Sequence, residues 1–153
     1  MTDLEYLREG ISRIETRKVK AGSHAAGIFA QCAAVFETEI RAWFTRLLQS
    51  CGLDYDKGIK THCKQVALDK TTLGNLIAGI KRAASVKPAC IGQHIPSSDN
   101  VTSFLQKLHG INEDWVRMKH RGEVEIATIF ERMKAMEQIL VEVTVDAQSR
   151  GDA

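Results

Sequence analysis

The sequence predicts an all-α protein, an antiparallel bundle of four long helices with one or two short helices. Apolar residues recur every three or four positions along most of the chain, which is the repeat of an amphipathic helix. The two prolines, Pro88 and Pro96, lie in one segment, so the rest of the chain lacks the residue that most often ends a helix. No segment has the strict alternation of apolar and polar residues that is typical of a strand.

Two helices are predicted before residue 51. The first has one apolar face, which consists of Leu4, Leu7, Ile11 and Ile14. The second is expected over about 24–50, with Ser23 as N-cap because its hydroxyl can accept from a free amide of the first turn. Gly52 is expected to end this helix. Its apolar stripe consists of Ile28, Cys32, Val35, Phe36, Ile40, Trp43 or Phe44, Leu47 and Leu48.

The middle of the chain predicts shorter elements. "KGIKTHCKQVALDK", residues 57–70, is compatible with a short helix that buries Ile59, Cys63, Val66 and Ala67. A further helix, with Thr71 or Thr72 as its cap, carries Leu73, Leu76, Ile77 and Ile80. The segment "SVKPACIGQHIPSS", residues 85–98, contains both prolines, a glycine and several serines, and it is therefore predicted as a loop.

Two more long helices complete the predicted bundle. One begins after Ser98 or Asp99, reaches about Lys119, and is lined by Val101, Phe104, Leu105 and Leu108. The chain is expected to break at Gly122, and the last helix to begin near Glu123. Its buried face is predicted to be Ile126, Ile129, Phe130, Met133, Met136, Leu140 and Val143. Residues 1–146 thus form a single domain, and 147–153 a flexible tail.

The composition is that of an ordinary globular protein, with 44% apolar and 26% charged residues. No apolar run is long enough to cross a bilayer, and the acidic N-terminus does not resemble a signal peptide. The four cysteines form no CxxC pair, so reduced thiols in a cytoplasm are expected. No metal or other cofactor is predicted, because zinc sites need compact ligand pairs that the spacing does not provide among Cys51, His62, Cys63, Cys90 and His94.

Charge is spread unevenly along the chain. The formal net charge is +2, but residues 55–121 hold eleven Lys/Arg and five Asp/Glu, a local charge of +6. A basic middle segment is compatible with a polyanionic partner, and equally with ordinary solvated helix faces.

The predicted helix that reaches about Lys119 has an unusual pattern at its end. If the stripe of Leu105 and Leu108 continues, it reaches Asn112, Trp115 and Lys119, and His120 joins the same polar cluster. Alternatively the stripe drifts, so that Ile111, Trp115 and Met118 face the core while Asn112 and Lys119 flank it.

This junction resembles that of the HEPN superfamily, helical bundles found in higher eukaryotes and prokaryotes. The resemblance rests on "INEDWVRMKHRGEVEIATIFERMKAMEQIL" at 111–140, with weaker support from "TTLGNLI" at 71–77 and "AAVFETEIRAWF" at 33–44. His120 and Gly122 match the histidine and glycine of the family motif. The motif arginine has no counterpart, because the three positions that would hold it are Glu113, Asp114 and Trp115.

The resemblance implies an RNA-binding domain, with metal-independent endoribonuclease activity, in a prokaryotic defence or toxin–antitoxin system. Catalysis would fall to His120, Asn112 and Lys119, and RNA binding to Arg117, Lys119 and Arg121. A homodimer, or a place in a larger complex, is expected, because the pattern provides no obvious second layer over Trp43, Phe44 and the last-helix methionines. The alternative is a non-catalytic helical module that docks on a partner protein.

Overall fold

The computed structural model describes residues 2–17, 22–54, 56–63, 71–95, 100–121 and 124–149. Of these residues 89% are helical and none lies in a strand, which confirms the all-α prediction. The helices are α1 Asp3–Arg17, α2 Gly22–Ser50, α3 Lys57–His62, α4 Leu73–Val86, α5 Pro88–His94, α6 Val101–Arg121 and α7 Ile126–Ser149. No described helix is both long and apolar enough to span a membrane.

Helix α2 is the centre of the packing. It contacts α1, α4, α6 and α7, whereas α1 packs only against α2 and α7 among the major helix contacts, and α3 and α5 pack on α4. The predicted stripe of α2 is buried except at Val35, which is half-buried, and both Trp43 and Phe44 belong to it. All buried apolar residues form one cluster, so the described part of the chain shares a single core.

The end of α2 is fixed by Gly52, as predicted. Its φ of 66° lies in the left-handed region, which a side chain would oppose. The amide of Leu53 donates to the carbonyl of Leu48 at 2.8 Å, and that of Gly52 to Gln49 at 3.2 Å. These two bonds form a Schellman motif, in which the buried Leu53 turns back toward the helix.

Side chains also cap the starts of α4 and α6. Thr72 Oγ1 accepts from the amide of Asn75 at the start of α4, which decides between the two predicted threonines. At α6, Asn100 Oδ1 accepts from the Ser103 amide at 2.8 Å, and Ser103 Oγ accepts from the Asn100 amide at 3.1 Å. This reciprocal pair makes Asn100 the cap, whereas Ser98 and Asp99 lie outside the described residues.

The prediction of a loop over 85–98 is wrong for residues 85–86, which end α4, and for residues 88–94, which form α5. Pro88 occupies the first turn of this helix, where its missing amide hydrogen is not needed. Burial of Ile91 and Ile95 anchors α5 to the core. Pro88 therefore marks the start of a short helix, whereas Pro96 lies outside the described residues.

The last helix differs from its predicted bounds at both ends. It begins at Ile126, whereas Gly122 and Glu123 lie outside the described residues. It continues through Ser149, three residues into the segment expected to be a tail. The predicted core face of α7 is confirmed at Ile129, Met133, Met136, Leu140 and Val143.

The apolar residues from which self-association is predicted are already covered within the single chain. Trp43, Phe44, Met133 and Met136 are each 0–1% exposed within the single chain. Phe104 of α6 covers Trp43 edge-on, with ring centroids 5.7 Å apart. These residues need no second copy of the chain to bury them, and a homodimer stays a prediction without this support.

Candidate functional site

The second interpretation of the α6 stripe is the one observed. Phe104, Leu108, Ile111, Trp115 and Met118 are all buried, so the apolar stripe continues to the last turn of the helix. These positions follow one another at intervals of four and three residues, which is the spacing of one helix face, and the half-buried Leu105 and Asn112 lie beside that face. The polar residues named by the sequence therefore flank the core instead of replacing it.

The predicted catalytic residues lie at different depths along α6. Asn112 is half-buried and faces Gly74 in the first turn of α4. Lys119 and His120 are exposed, and the Lys119 ammonium lies 3.9 Å from the centre of the Trp115 ring, a cation–π contact. No hydrogen bond or ion pair between described side chains joins these three residues. Gly122 and the side chain of Arg121 lie outside what the structure describes.

Asp114 is a buried acid with a structural role that the sequence pattern does not predict. It is 4% exposed, and Arg132 of α7 donates to its Oδ2 at 2.5 Å. Arg117 Nη1 lies 3.6 Å from the other carboxylate oxygen and its Nη2 lies 4.0 Å from Glu113. Asp114 thus links α6 to α7, and the two carboxylates offset part of the charge of Arg117, a predicted RNA-binding residue.

A second group of exposed cations, which is less mixed with acidic residues than that of α6, lies on α3 and α4. Within residues 57–63 and 71–95 the chain carries no Asp or Glu, and the exposed cations of this surface are Lys57, Lys60, Lys81, Arg82 and Lys87. The Arg82 side chain lies against Gly58, where a Cβ would collide with its guanidinium. This contact packs α3 against α4, and we call the exposed surface that carries these five cations the α3–α4 basic face.

Among the described residues, the carboxylate of Asp56 borders this face. Asp56, the N-cap of α3, accepts from the Ile59 amide at 2.8 Å and pairs with Arg82 Nε at 3.3 Å. The Ile59 amide, followed by Arg82, holds the pKa of Asp56 below its usual value. Asp56 therefore stays ionised and offsets part of the Arg82 charge.

The structure also gathers residues that sequence spacing kept apart. Cys51, in the turn after α2, is joined by a disulfide to Cys90 of α5, so the prediction of reduced thiols is wrong for this pair. His94, one turn beyond Cys90, places a ring nitrogen within 4.8 Å of both sulfurs. The Cys90–His94 spacing becomes informative only once residues 88–94 are known to be helical, because i and i+4 share a helix face.

The other two cysteines are free and buried, as expected for core residues. Burial raises the pKa of the Cys32 and Cys63 thiols to about 11 each, with the Arg13 charge partly opposing this effect at Cys32. At neutral pH both therefore stay protonated and poorly nucleophilic.

A pair of acids lines a cleft on the other side of α2. Asp3, Leu4, Glu39, Leu140 and Thr144 border one cavity of about 250 Å³. Glu39 and Thr144 also border a neighbouring cavity of about 280 Å³. A hydrogen bond with Asp3, together with burial, raises the pKa of Glu39 to about 7, although Arg46 opposes the change. The pair can therefore hold or release one proton near neutral pH.

We expect Glu39→Gln to become more stable relative to the parent as pH rises from about 4.5 to about 8. The pKa of Glu39 is raised from 4.5 to about 7, so in this window the folded parent binds more protons than the unfolded chain. The stability of the parent must then fall as pH rises, whereas glutamine is neutral throughout. Urea unfolding of both proteins across this range measures the difference.

The exposed Glu131→Gln is the matched control, because it removes the same charge from the surface of α7. Its stability difference from the parent should vary little over the same pH range. If the stability difference between Glu39→Gln and the parent is equally independent of pH, the Asp3–Glu39 pair does not share a proton in solution.

Comparison of the chain with protein-family models, with curated proteins and with solved structures finds no match. Membership of the HEPN superfamily stays a prediction that rests on the residues at 111–140.

Proposed function

We propose that the protein binds RNA through the α3–α4 basic face. The observation that supports this proposal is the absence of any acidic residue within 57–63 and 71–95, where Lys57, Lys60 and Lys81 are exposed. Phosphate contacts by lysine and arginine supply most of the affinity of proteins for nucleic acid irrespective of sequence. Lys119 and His120 add exposed polar groups at the end of α6.

The HEPN resemblance extends this proposal. It favours a cytoplasmic protein of a prokaryotic defence or toxin–antitoxin system, acting as a homodimer or within a larger complex. RNA is the partner that both the resemblance and the basic face favour, and the proposal requires no cofactor.

Endoribonuclease activity is the less supported part of the resemblance. Metal-free cleavage needs a proton-transfer group and a cation that stabilises the phosphate charge. His120 is exposed and available for the first task. The nearby Arg117 is engaged with Asp114 and Glu113, which weakens its case for the second. We therefore propose RNA binding as the primary function and cleavage by His120 as its extension.

The test is fluorescence anisotropy with a labelled single-stranded RNA, recorded as the salt concentration is varied. A dissociation constant of about 10⁻⁶ M or tighter at about 0.15 M salt, with an affinity that falls as salt rises, supports RNA binding. Absence of affinity under these conditions would overturn the proposal in favour of the non-catalytic module that docks on a partner protein.

Cleavage is assayed in the same samples by incubating the RNA with the protein and EDTA. We expect His120→Ala to abolish any cleavage while leaving most of the binding, because proton transfer and phosphate attraction are separate tasks. The exposed His109 serves as the control, and His109→Ala should cleave as the parent does. Equal cleavage by His120→Ala and the parent would remove His120 from the mechanism.

A further inference from the structure

Three potential metal ligands meet where the end of α2, α5 and α7 come together. The ligand atoms of Cys51, Cys90 and His94 all lie within 4.8 Å of one another. Cys51 is buried, and Cys90 and His94 are half-buried, so the group is largely shielded from water. Cys90 and His94 lie one helical turn apart on α5, which holds two of the three ligands in fixed relation.

The spacing suits a tetrahedral zinc site. Zinc binds thiolate sulfur at about 2.3 Å and histidine nitrogen at about 2.0–2.1 Å, so its ligand atoms lie about 3.5–3.8 Å apart. The Cα atoms of Cys51 and Cys90 are 6.1 Å apart. Once the disulfide is reduced, rotation of the two cysteine side chains is enough to open the sulfur pair around an ion.

The histidine is already held in the way that metal-bound histidines are held. Asp146 Oδ1 lies 2.9 Å from His94 Nδ1, and its other oxygen accepts from Trp43 Nε1, also at 2.9 Å. A carboxylate at Nδ1 favours the tautomer that carries its hydrogen there, which leaves the Nε2 lone pair for a metal. This carboxylate–histidine pair is 12–15% exposed, so its geometry is protected by the core.

We infer that Cys51, Cys90 and His94 bind one Zn²⁺ ion per chain when the Cys51–Cys90 disulfide is reduced. This site is independent of the proposed RNA binding. With a phosphine as reductant, phosphorus gives two electrons to the disulfide and becomes a phosphine oxide with the oxygen of water. The two water protons form the two thiols. Zn²⁺ then displaces both thiol protons and takes His94 as its third ligand, leaving the fourth position to water.

The experiment compares the reduced and oxidised full chain under oxygen-free conditions after the phosphine has been removed. Co²⁺ serves as the spectroscopic probe, since thiolate coordination gives a charge-transfer band and tetrahedral geometry gives intense visible bands. We expect both signals at one ion per chain in the reduced protein, displacement of Co²⁺ by Zn²⁺, and neither signal in the oxidised protein. If the reduced parent gives no such bands, the cysteines form a disulfide only and the inference is overturned.

Variants assign the ligands. Cys90→Ser and His94→Ala should lose the bands, whereas Cys63→Ser and His109→Ala, which lie outside the group, should keep them. Asp146→Asn keeps all three ligands but should weaken Zn²⁺ affinity about 10–100-fold, because it loses the carboxylate that orients His94. Circular dichroism confirms that each variant is folded. Parental affinity in folded Cys90→Ser or His94→Ala would also overturn the assignment.

Discussion

Replacing Trp43 by alanine should lower the free energy of unfolding by about 3–5 kcal/mol. The side chain is 1% exposed, packs edge-on against Phe104, and lies in the central helix of the core. Its removal leaves a cavity that rigid helices fill only in part. The indole N–H also donates to Asp146 at 2.9 Å, so the variant removes a hydrogen bond to a half-buried carboxylate. Urea unfolding followed by circular dichroism measures the loss.

A pair of phenylalanine variants separates the hydrogen bond from the packing. Trp43→Phe keeps an aromatic ring but removes the donor to Asp146, and should cost about 1–3 kcal/mol. Trp115→Phe is the matched control, because the Trp115 N–H finds no acceptor among the described residues although it is buried. The control should therefore lose less stability than Trp43→Phe. Equal losses in the two variants would mean that the bond to Asp146 contributes nothing measurable.

Periodicity predicted the parts of the fold that depend on repeated patterns. The stripe of α2 from Ile28 to Leu48 spans several turns, so an error at any one position does not move the buried face. Gly52 was predictable because the left-handed conformation at a helix end favours one residue type. The drift of the α6 stripe was one of two alternatives, since Trp115 belongs to the core face in both.

The remaining features depend on contacts between segments that are distant in the sequence. α5 is seven residues long, too short for periodicity to distinguish it from a loop that contains proline. Cys51 and Cys90 are 39 residues apart, and Asp146 reaches His94 from a third helix. Asp114 looks like an exposed acid in the sequence, because its burial depends on Arg132 of another helix. Each of these features is decided by tertiary packing, which no local sequence pattern predicts.

The second large effect concerns the α3–α4 basic face. The variant Lys57→Ala/Lys60→Ala/Lys81→Ala should bind single-stranded RNA about 100-fold more weakly than the parent at about 0.1 M salt. Each phosphate contact to a single strand contributes about 0.7 to the slope of log affinity against log salt concentration. Losing three contacts therefore reduces the slope by about 2, and anisotropy titrations at several salt concentrations measure it directly.

A charge-matched variant tests whether this loss is local. Arg8→Ala/Arg46→Ala/Lys134→Ala also removes three exposed cations, but from α1, α2 and α7. Because these cations lie outside the α3–α4 basic face, their removal should change RNA affinity far less than the lysine variant does. Lys119→Ala, measured in the same titrations, gives the contribution of the C-terminal end of α6 to RNA affinity. An equal loss in the two triple variants would show that RNA responds to net charge alone, and the α3–α4 basic face would then have no special role.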